Sequence, residues 1–439
     1  MSWQFFPELL ATPVPRYTSY PTAAEFHEGI GQDEMAIALA GLPVGTQVSL
    51  YVHFPFCREI CWYCGCNTGA ANRPRRLDAY LEALGREIDI VASRLGGRAN
   101  VRRIAFGGGS PNAMPAEAFV ALAGHLRRAF DVQDPLISVE IDPRGFDHQW
   151  AGALAAAGVE QASLGVQTFD PAIQQRIGRV QDEGLVAIAV DLLRAAGIKS
   201  LNFDLMYGLP GQDVAVLEDT LRRTAALGAD RIALFGYAHV PHLILRQRRI
   251  DASLLPSTEA RFRQAEFGHE WLTGRGYEPV GFDHFATPAD RLARAARAGG
   301  LRRNFQGFTD DRAEILIGFG ASAISVFPHL LIQNAKNAGR YRMLALGGRL
   351  PAERGVARSR EDRARGVIIE GLLCSGEADA GAFAEAARAQ LEPFSAKGLV
   401  SWSGNRLSIA PEASPYARTI AAAFDSWRQP DARRFSNAV

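Results

Sequence analysis

Cysteines 57, 61, 64 and 66 fall within ten positions, in the stretch CREICWYCGC, and make up four of the chain's five. Thiols that close together serve a disulfide, a zinc site, a redox pair or an iron–sulfur cluster. Zinc sites usually pair two knuckles across a dozen or more residues, and four ligands in one tight loop wrap a tetrahedral ion poorly. A redox pair would use C-x-x-C at a helix start, and Cys61–Cys64 fits only if Cys57 and Cys66 are set aside. Structural disulfides belong to oxidising compartments and small cores, whereas 439 residues with 47% hydrophobic content need no such support. A cubane cluster asks for thiolates that converge on separate irons, and a C-x3-C-x2-C loop supplies three. Three protein ligands leave one iron open, as a catalytic metal site keeps a vacant position.

The elements that must hold this loop follow from the hydrophobic pattern. Short β-rich runs at 48–54, 103–109, 136–142, 161–167, 200–208 and 231–238 alternate with helical periods. The clearest helix is 76–95, with Leu77, Tyr80, Leu81, Leu84 and Ile88 on one face; others cover roughly 116–130, 182–196 and 214–228. Six β-then-α units in series predict a parallel α/β sheet with helical crossovers, open or curled into a partial TIM-type barrel. The barrel is favoured. No G-x-G-x-x-G opens the first helix, and polar residues gather where strands end: Tyr51, His53, Gly107 to Ser110, Glu140, Asp142, Gln167, Asp204, Tyr237 and His239. Segments 277–286 and 315–327 read as further strand or loop near the mouth. From about 360 come two helices and a short β-ribbon, LVSWSGNRLSI, as in a small winged-helix unit. The expected division is an N-terminal arm over 1–40, a catalytic domain over 41–350 and a helical, winged-helix-like domain over 351–439.

The net charge of +1, 48 basic against 47 acidic residues, argues against a nucleic-acid partner, and the ribbon unit carries no basic run. No stretch of eighteen apolar residues occurs, so no membrane span is expected. The N-terminus lacks the basic leader of a secretory signal and is broken by Pro7, Pro13 and Pro15, so a cytoplasmic, reducing location is expected.

The cysteine loop after a first barrel strand, with Tyr63 before the last cysteine, resembles the radical S-adenosylmethionine (SAM) enzymes. Within them YVHFPFCREICWYCGCN resembles the oxygen-independent coproporphyrinogen III oxidases of anaerobic haem synthesis. PRYTSYPTA (15–23), GGGSPN (107–112), SVEIDPR (138–144), SLGVQ (163–167), NFDLMYGLPGQ (202–212), GYAHVP (236–241), GFDHFA (281–286), RRNFQGF (302–308) and GASAIS (320–325) extend the likeness in order. It runs from about Arg16 to the closing RRFSNAV. Ser110 and Asn112 depart from common threonines, and Thr168 from a common acid.

The resemblance implies a [4Fe–4S] cluster on Cys57, Cys61 and Cys64, with SAM on the open iron. Cys66 is then a substrate-side thiol, with a small loop residue as the plainer alternative. Tyr51, Glu140 and Ile324 match contacts to a first SAM; Gln167, Arg179, Asp204 and Ala238 match contacts to a second. Tyr63, Gly65, Gly108, Gly109 and Ser110 complete the cofactor set. His53 shares a strand face with Tyr51, two residues away, and joins Cys66 and Tyr51 as a catalytic candidate. Phe305 and Gln306 match positions near the substrate. A substrate with four carboxylates needs cations. Arg16, Arg302 and Arg303 are candidates, though each alone reads more readily as a solvated surface arginine. The implied reaction converts two propionates of coproporphyrinogen III to vinyl groups. It needs an electron donor and an acceptor that the sequence does not identify, and a monomer is expected. A haem carrier and a haem-degrading radical enzyme are the rival readings. Such carriers usually lack the fourth cysteine and the RYTSYPT arm, both present here.

Overall fold

Residues 3–428 are described in this computed structural model. Six parallel strands follow one another in space and in sequence: β1 (Thr46–Phe54), β2 (Ala99–Gly108), β3 (Leu136–Ile141), β4 (Val159–Gln167), β5 (Ser200–Tyr207) and β6 (Arg231–Gly236). Helices cross back between them: α1 (Pro74–Leu95), α2 (Ala116–Ala129), α3 (His148–Ala157), α4 (Glu183–Ala195) and α5 (Val214–Ala226). α1 buries Leu77, Tyr80, Leu84 and Ile88 of the expected stripe and half-buries Leu81, and Val91 and Leu95 extend the buried face. Asp147, Asp182 and Asp213 cap α3, α4 and α5, each accepting from a backbone N–H three residues on at 3.0, 2.8 and 2.9 Å. A carboxylate there satisfies a donor that the helix leaves orphaned, so each of these crossovers starts at a fixed residue.

After β6 and α6 (Thr258–Thr273), the sheet is extended by β8 (His284–Ala286), antiparallel to β6, and then by β7 (Glu278–Val280), antiparallel to β8. On the other side β9 (Ile315–Phe319) lies parallel to β1, followed by antiparallel β10 (Ile324–Phe327), β11 (Leu330–Asn334) and β12 (Ala352–Ala357). The order is β12-β11-β10-β9-β1-β2-β3-β4-β5-β6-β8-β7, an open sheet whose six sequential strands curl around a cavity. β12 lies beyond the boundary expected at residue 350, because its edge-strand pairing with β11 keeps it in the sheet.

The C-terminal segment forms α7 (Arg360–Ser375), α8 (Ala384–Ser395) and a three-stranded ribbon of Glu377–Asp379, Val400–Ser403 and Arg406–Ile409. Its core includes Trp3, Leu9, Leu10, Val14, Tyr17 and Tyr20, so residues 3–20 pack with the last described helices. The rest of the expected arm behaves differently: a helix over Gln32–Ala40 buries Met35, Ala38 and Leu39 against the barrel. The closing RRFSNAV lies outside the described residues.

Candidate active site

The cysteine loop leaves the C-terminal end of β1, where a parallel sheet gathers the ends of all its strands. Backbone bonds tie it down: Gly69 N–H to Pro55 O at 2.8 Å, Ala71 N–H to Cys57 O at 2.8 Å and Trp62 N–H to Ile177 O at 2.9 Å. Gln247, buried, donates to the carbonyls of Tyr63 (2.8 Å) and Ala238 (3.0 Å), clamping the loop to the segment after β6. Cys57, Cys61, Cys64 and Cys66 all face one cavity of about 140 Å³, with Gly108, Gly109, Ser110, Glu140, Gln167, Arg179 and Asp204.

The electrostatics of this cavity suit a polynuclear metal group. Burial, Cys64 and Cys61 push the Cys57 thiol up to about 12, so three thiolates need cationic charge between them. A cubane would take each of these thiolates at a different iron. Hydrogen bonding from Cys66 draws Cys64 down to about 6. The Cys61 sulfur accepts from both Arg179 Nη1 and Arg144 Nη2, each at 3.3 Å. Between these arginines sits Asp142, 2.7 Å from Arg144 and 3.3 Å from Arg179. Burial works against the Asp142 carboxylate, yet Arg179 and Arg144 hold it below its ordinary value.

Beside the loop lies a cradle that a second group would fill. A Cβ on Gly107 would stand 2.5 Å from the Glu140 carboxyl, and one on Gly109 2.6 Å from Phe56 O. Gly108 has φ 106° and its Cβ would strike the His53 ring at 2.3 Å, so only glycine fits. Glu140 Oε2 accepts from Gly108 N–H at 3.0 Å, and burial raises this carboxyl to about 7. Gln167 sits at a bulge of β4 with φ 64°, and its buried Oε1 has no hydrogen-bond partner. A strained residue with an orphaned acceptor at a cavity wall is what a donor-bearing ligand would satisfy. Asp204 accepts from Ser163 (2.9 Å) and Asn202 (2.8 Å), and burial raises its pKa.

Glu140, Ser163 and Asp204 also line a second cavity of about 330 Å³, the interior of the curled sheet. Gln306 lines it as well. Tyr51 and His53 meet as their strand spacing predicts, Tyr51 Oη to His53 Nδ1 at 3.1 Å, and Phe305 packs edge-on to Tyr51 at 4.6 Å. Burial lowers His53 to about 4, so its ring is neutral near pH 7. Its Nε2 lies 3.4 Å from Ser322 Oγ, two residues before Ile324 on β10.

The other expected residues make contacts of their own, and Tyr63 and Ser110 also line the cysteine cavity. Ser110 gives its hydroxyl to Asn112 at 2.8 Å and its N–H to Phe56 O at 2.8 Å, and its carbonyl accepts from Ala113 at 2.8 Å. Tyr63 packs among Ile173, Ile177, Met206, Leu209 and Tyr237. Gly65 is exposed against Ile244, and Ile324 is half-buried beside Phe26, Leu331 and Val356. Arg302 is bound to Glu370 at 2.9 Å. Arg303 is no solvated surface residue: it stacks between Phe308 (4.4 Å) and Phe282 (4.9 Å).

The radical SAM superfamily model matches residues 51–224, from Tyr51 on β1 to Thr224 on α5. An oxygen-independent coproporphyrinogen III oxidase from Bradyrhizobium diazoefficiens is 44% identical over 97% of both chains. Another from Paracoccus denitrificans is 44% identical over 94% of both. The chain belongs to the oxygen-independent coproporphyrinogen III oxidases. The solved coproporphyrinogen III oxidase (HemN) from Escherichia coli, a radical SAM enzyme, matches with a TM-score of 0.89 at 33% identity, over 98% of this chain and 100% of that one.

Membership of this family explains the loop but not every residue around it. Asp142 and Arg144 stand in the SVEIDPR motif without any spacing that pairs them with a cysteine 83 residues upstream of Arg144. Arg246, which donates to Thr68 (2.9 Å) and Cys66 O (3.2 Å), and Gln247 lie in an RQRR run that carries no sequence signal for a site. Tertiary contact alone brings them in.

Proposed function

We propose that this chain converts coproporphyrinogen III to protoporphyrinogen IX without oxygen, removing two propionate carboxyls as carbon dioxide and leaving vinyl groups. The observation that carries this is the meeting of two cavities at Glu140, Ser163 and Asp204: a thiol-lined one at the end of β1 and a larger one inside the barrel. Cys57, Cys61 and Cys64 would hold a [4Fe–4S] cluster, which would supply one electron for cleavage of SAM to methionine and a radical able to take hydrogen from a propionate β-carbon.

The chain's own residues hold and shield. Arg179 and Arg144 donate to the Cys61 sulfur. Glu140 faces the glycine cradle, where an ionised carboxylate would meet the positive charge of SAM. Tyr51 and Ile324 complete the first SAM site. Gln167, through its orphaned acceptor, forms a second with Arg179, Asp204 and Ala238. Neutral His53 orients Tyr51, and Cys66 handles a proton or radical at the substrate. Tyr63, Gly65, Gly108 and Gly109 shape the cofactor walls. Phe305 and Gln306 border the substrate, and Ser110 holds the turn that places the glycines. Residues 41 to about 357 form the catalytic unit, covered by the N-terminal arm and the C-terminal helices and ribbon.

The enzyme works as a cytoplasmic monomer with a separate electron donor and acceptor, neither nucleic acid nor membrane taking part. No helix among the described residues is long and apolar enough to cross a membrane. The test is anaerobic cluster reconstitution followed by incubation with reductant, SAM and coproporphyrinogen III. Protoporphyrinogen and 5'-deoxyadenosine are expected, about four irons are expected per chain, and Cys66→Ser should keep the iron while losing decarboxylation. Tight haem binding without turnover would favour a carrier instead, and haem breakdown a degrading enzyme.

A further inference from the structure

The GFDHFA run carries Asp283 and His284 to the start of β8, and the cofactor sites described above use neither. His284 is buried and stands opposite Ala233 of β6. Asp283 Oδ1 accepts from its Nδ1 at 2.6 Å. Two phenyl rings hold the imidazole edge-on, Phe235 at 5.4 Å and Phe308 at 5.2 Å. A ring packed on both sides and bound at one nitrogen has its other nitrogen fixed in direction.

That nitrogen, Nε2, has no hydrogen-bond partner among the described residues. His53 differs, since Tyr51 and Ser322 engage both of its ring nitrogens. A Cβ on Gly307, the residue after Gln306, would stand 3.4 Å from His284 Nε2. His284, Phe235, Phe308 and Gln306 all line the barrel cavity of about 330 Å³, a size within the range of small-molecule sites.

The charges behind the ring favour a donor at Nε2. Burial works against the Asp283 carboxylate, yet His284, and after it Arg303 and Arg16, hold it below its ordinary value. An ionised Asp283 keeps a proton on Nδ1 and leaves Nε2 to face the cavity. Arg103 and Arg231 line the same cavity, and each already balances a carboxylate, Asp310 at 2.6 Å and Asp290 at 2.7 Å. A carboxylate arriving at Nε2 favours the imidazolium, which then lies between two opposite charges.

We propose that His284 contacts the substrate, donating from Nε2 to one carboxylate of a porphyrinogen held in the barrel, with Asp283 as the residue that positions its ring. This rests on the substrate reading above. Asp204, which lines both cavities, feels the His284 charge, so the pair stands near the seam where barrel and cysteine cavities meet.

The test uses the reconstituted full chain with coproporphyrin III, and with its tetramethyl ester as the probe that lacks carboxylates. Dissociation constants are read by fluorescence, with iron content, SAM binding and melting temperature as controls. His284→Asn keeps an amide where Nδ1 stands, and so the Asp283 contact, but removes Nε2. It should weaken coproporphyrin III binding about tenfold to a hundredfold, the loss of one charge-assisted contact. His284→Gln, whose amide reaches the Nε2 position, should recover most of that affinity. Asp283→Asn should weaken coproporphyrin III binding by releasing the ring. The ester should bind wild type and all three variants alike, with iron and SAM binding at wild-type levels. A folded His284→Asn chain that binds coproporphyrin III as wild type does overturns the contact, and an equal loss for the ester overturns its assignment to a carboxylate. Wild type that neither binds the porphyrin nor converts the porphyrinogen overturns the substrate reading and the contact with it.

Discussion

Arg179 Nη1 donates to the Cys61 sulfur at 3.3 Å, across 118 residues of sequence. The same guanidinium donates from Nη2 to Asp142 and to the carbonyl of Gly165 on β4. A residue proposed to face the second SAM is thus tied to a cysteine proposed to hold the cluster. Hydrogen bonds to ligand sulfurs favour the reduced, more negative cluster. Arg179→Gln should therefore shift the cluster midpoint to more negative potential, by roughly 60–130 mV if about 1.5–3 kcal/mol of charged hydrogen bonding is lost. Electron paramagnetic resonance during a redox titration reads this directly; an unchanged midpoint would mean that Arg144 alone sets the environment of Cys61.

Gly108→Ala should be far more damaging than a one-carbon change suggests. The backbone there has φ 106°, and the added methyl would lie 2.3 Å from the His53 ring. Backbone strain of this kind amounts to about 1–3 kcal/mol before the displacement of His53 is counted. The expected outcome is a lower melting temperature together with weakened SAM binding, checked by thermal unfolding and equilibrium dialysis. Gly97, also left-handed but with open space around it, should lose stability only and keep SAM affinity.

Asp204 speaks to how many SAM molecules bind. It lies on the boundary between the two cavities, held by Ser163 and Asn202. Two decarboxylations use two radicals, so each divinyl product should consume two SAM. Asp204→Ala should weaken one of two SAM sites by about tenfold to a hundredfold while the cluster spectrum stays normal. Binding of labelled SAM counts the sites; one equivalent on wild type would remove the second site altogether.

Glu87 sets a pH dependence. It is buried on α1 and accepts from Gly320 N–H (2.8 Å), Asn334 Nδ2 (2.6 Å) and Tyr341 Oη (2.5 Å), and burial raises its carboxyl to about 7. The folded chain then keeps a proton that the unfolded chain has lost, so this group's contribution to stability falls as pH rises from about 4.5 to 7 and is level above. The fall should be roughly 3–4 kcal/mol at 1.36 kcal/mol per pH unit. Urea unfolding of wild type and Glu87→Gln at pH 5 and pH 8 measures it: the substitution should flatten the difference. The Gly320 loop leads to Ser322 and Ile324, so the variant should also loosen the wall beside His53.

The clustered cysteine loop, the six parallel strands and the amphipathic face of α1 were legible in the sequence because each is local. Thiol spacing, strand alternation and a helical stripe are set by residues within about twenty positions of one another. The Tyr51–His53 contact was legible for the same reason, since alternate strand residues share a face. Tertiary structure decided what no local pattern carries. It bound Arg144 and Arg179 to Cys61, 83 and 118 residues away. It made 315–319 a strand beside β1 and kept 352–357 in the sheet, because edge pairing depends on which strand lies next in space and not on the run itself. It also took Arg302 and Arg303, adjacent and chemically equal in sequence, and gave one a half-buried carboxylate partner and the other an aromatic slot. An arginine's role follows from the charge and burial of its surroundings, and those are assembled only when the arm, the barrel and the C-terminal helices pack together.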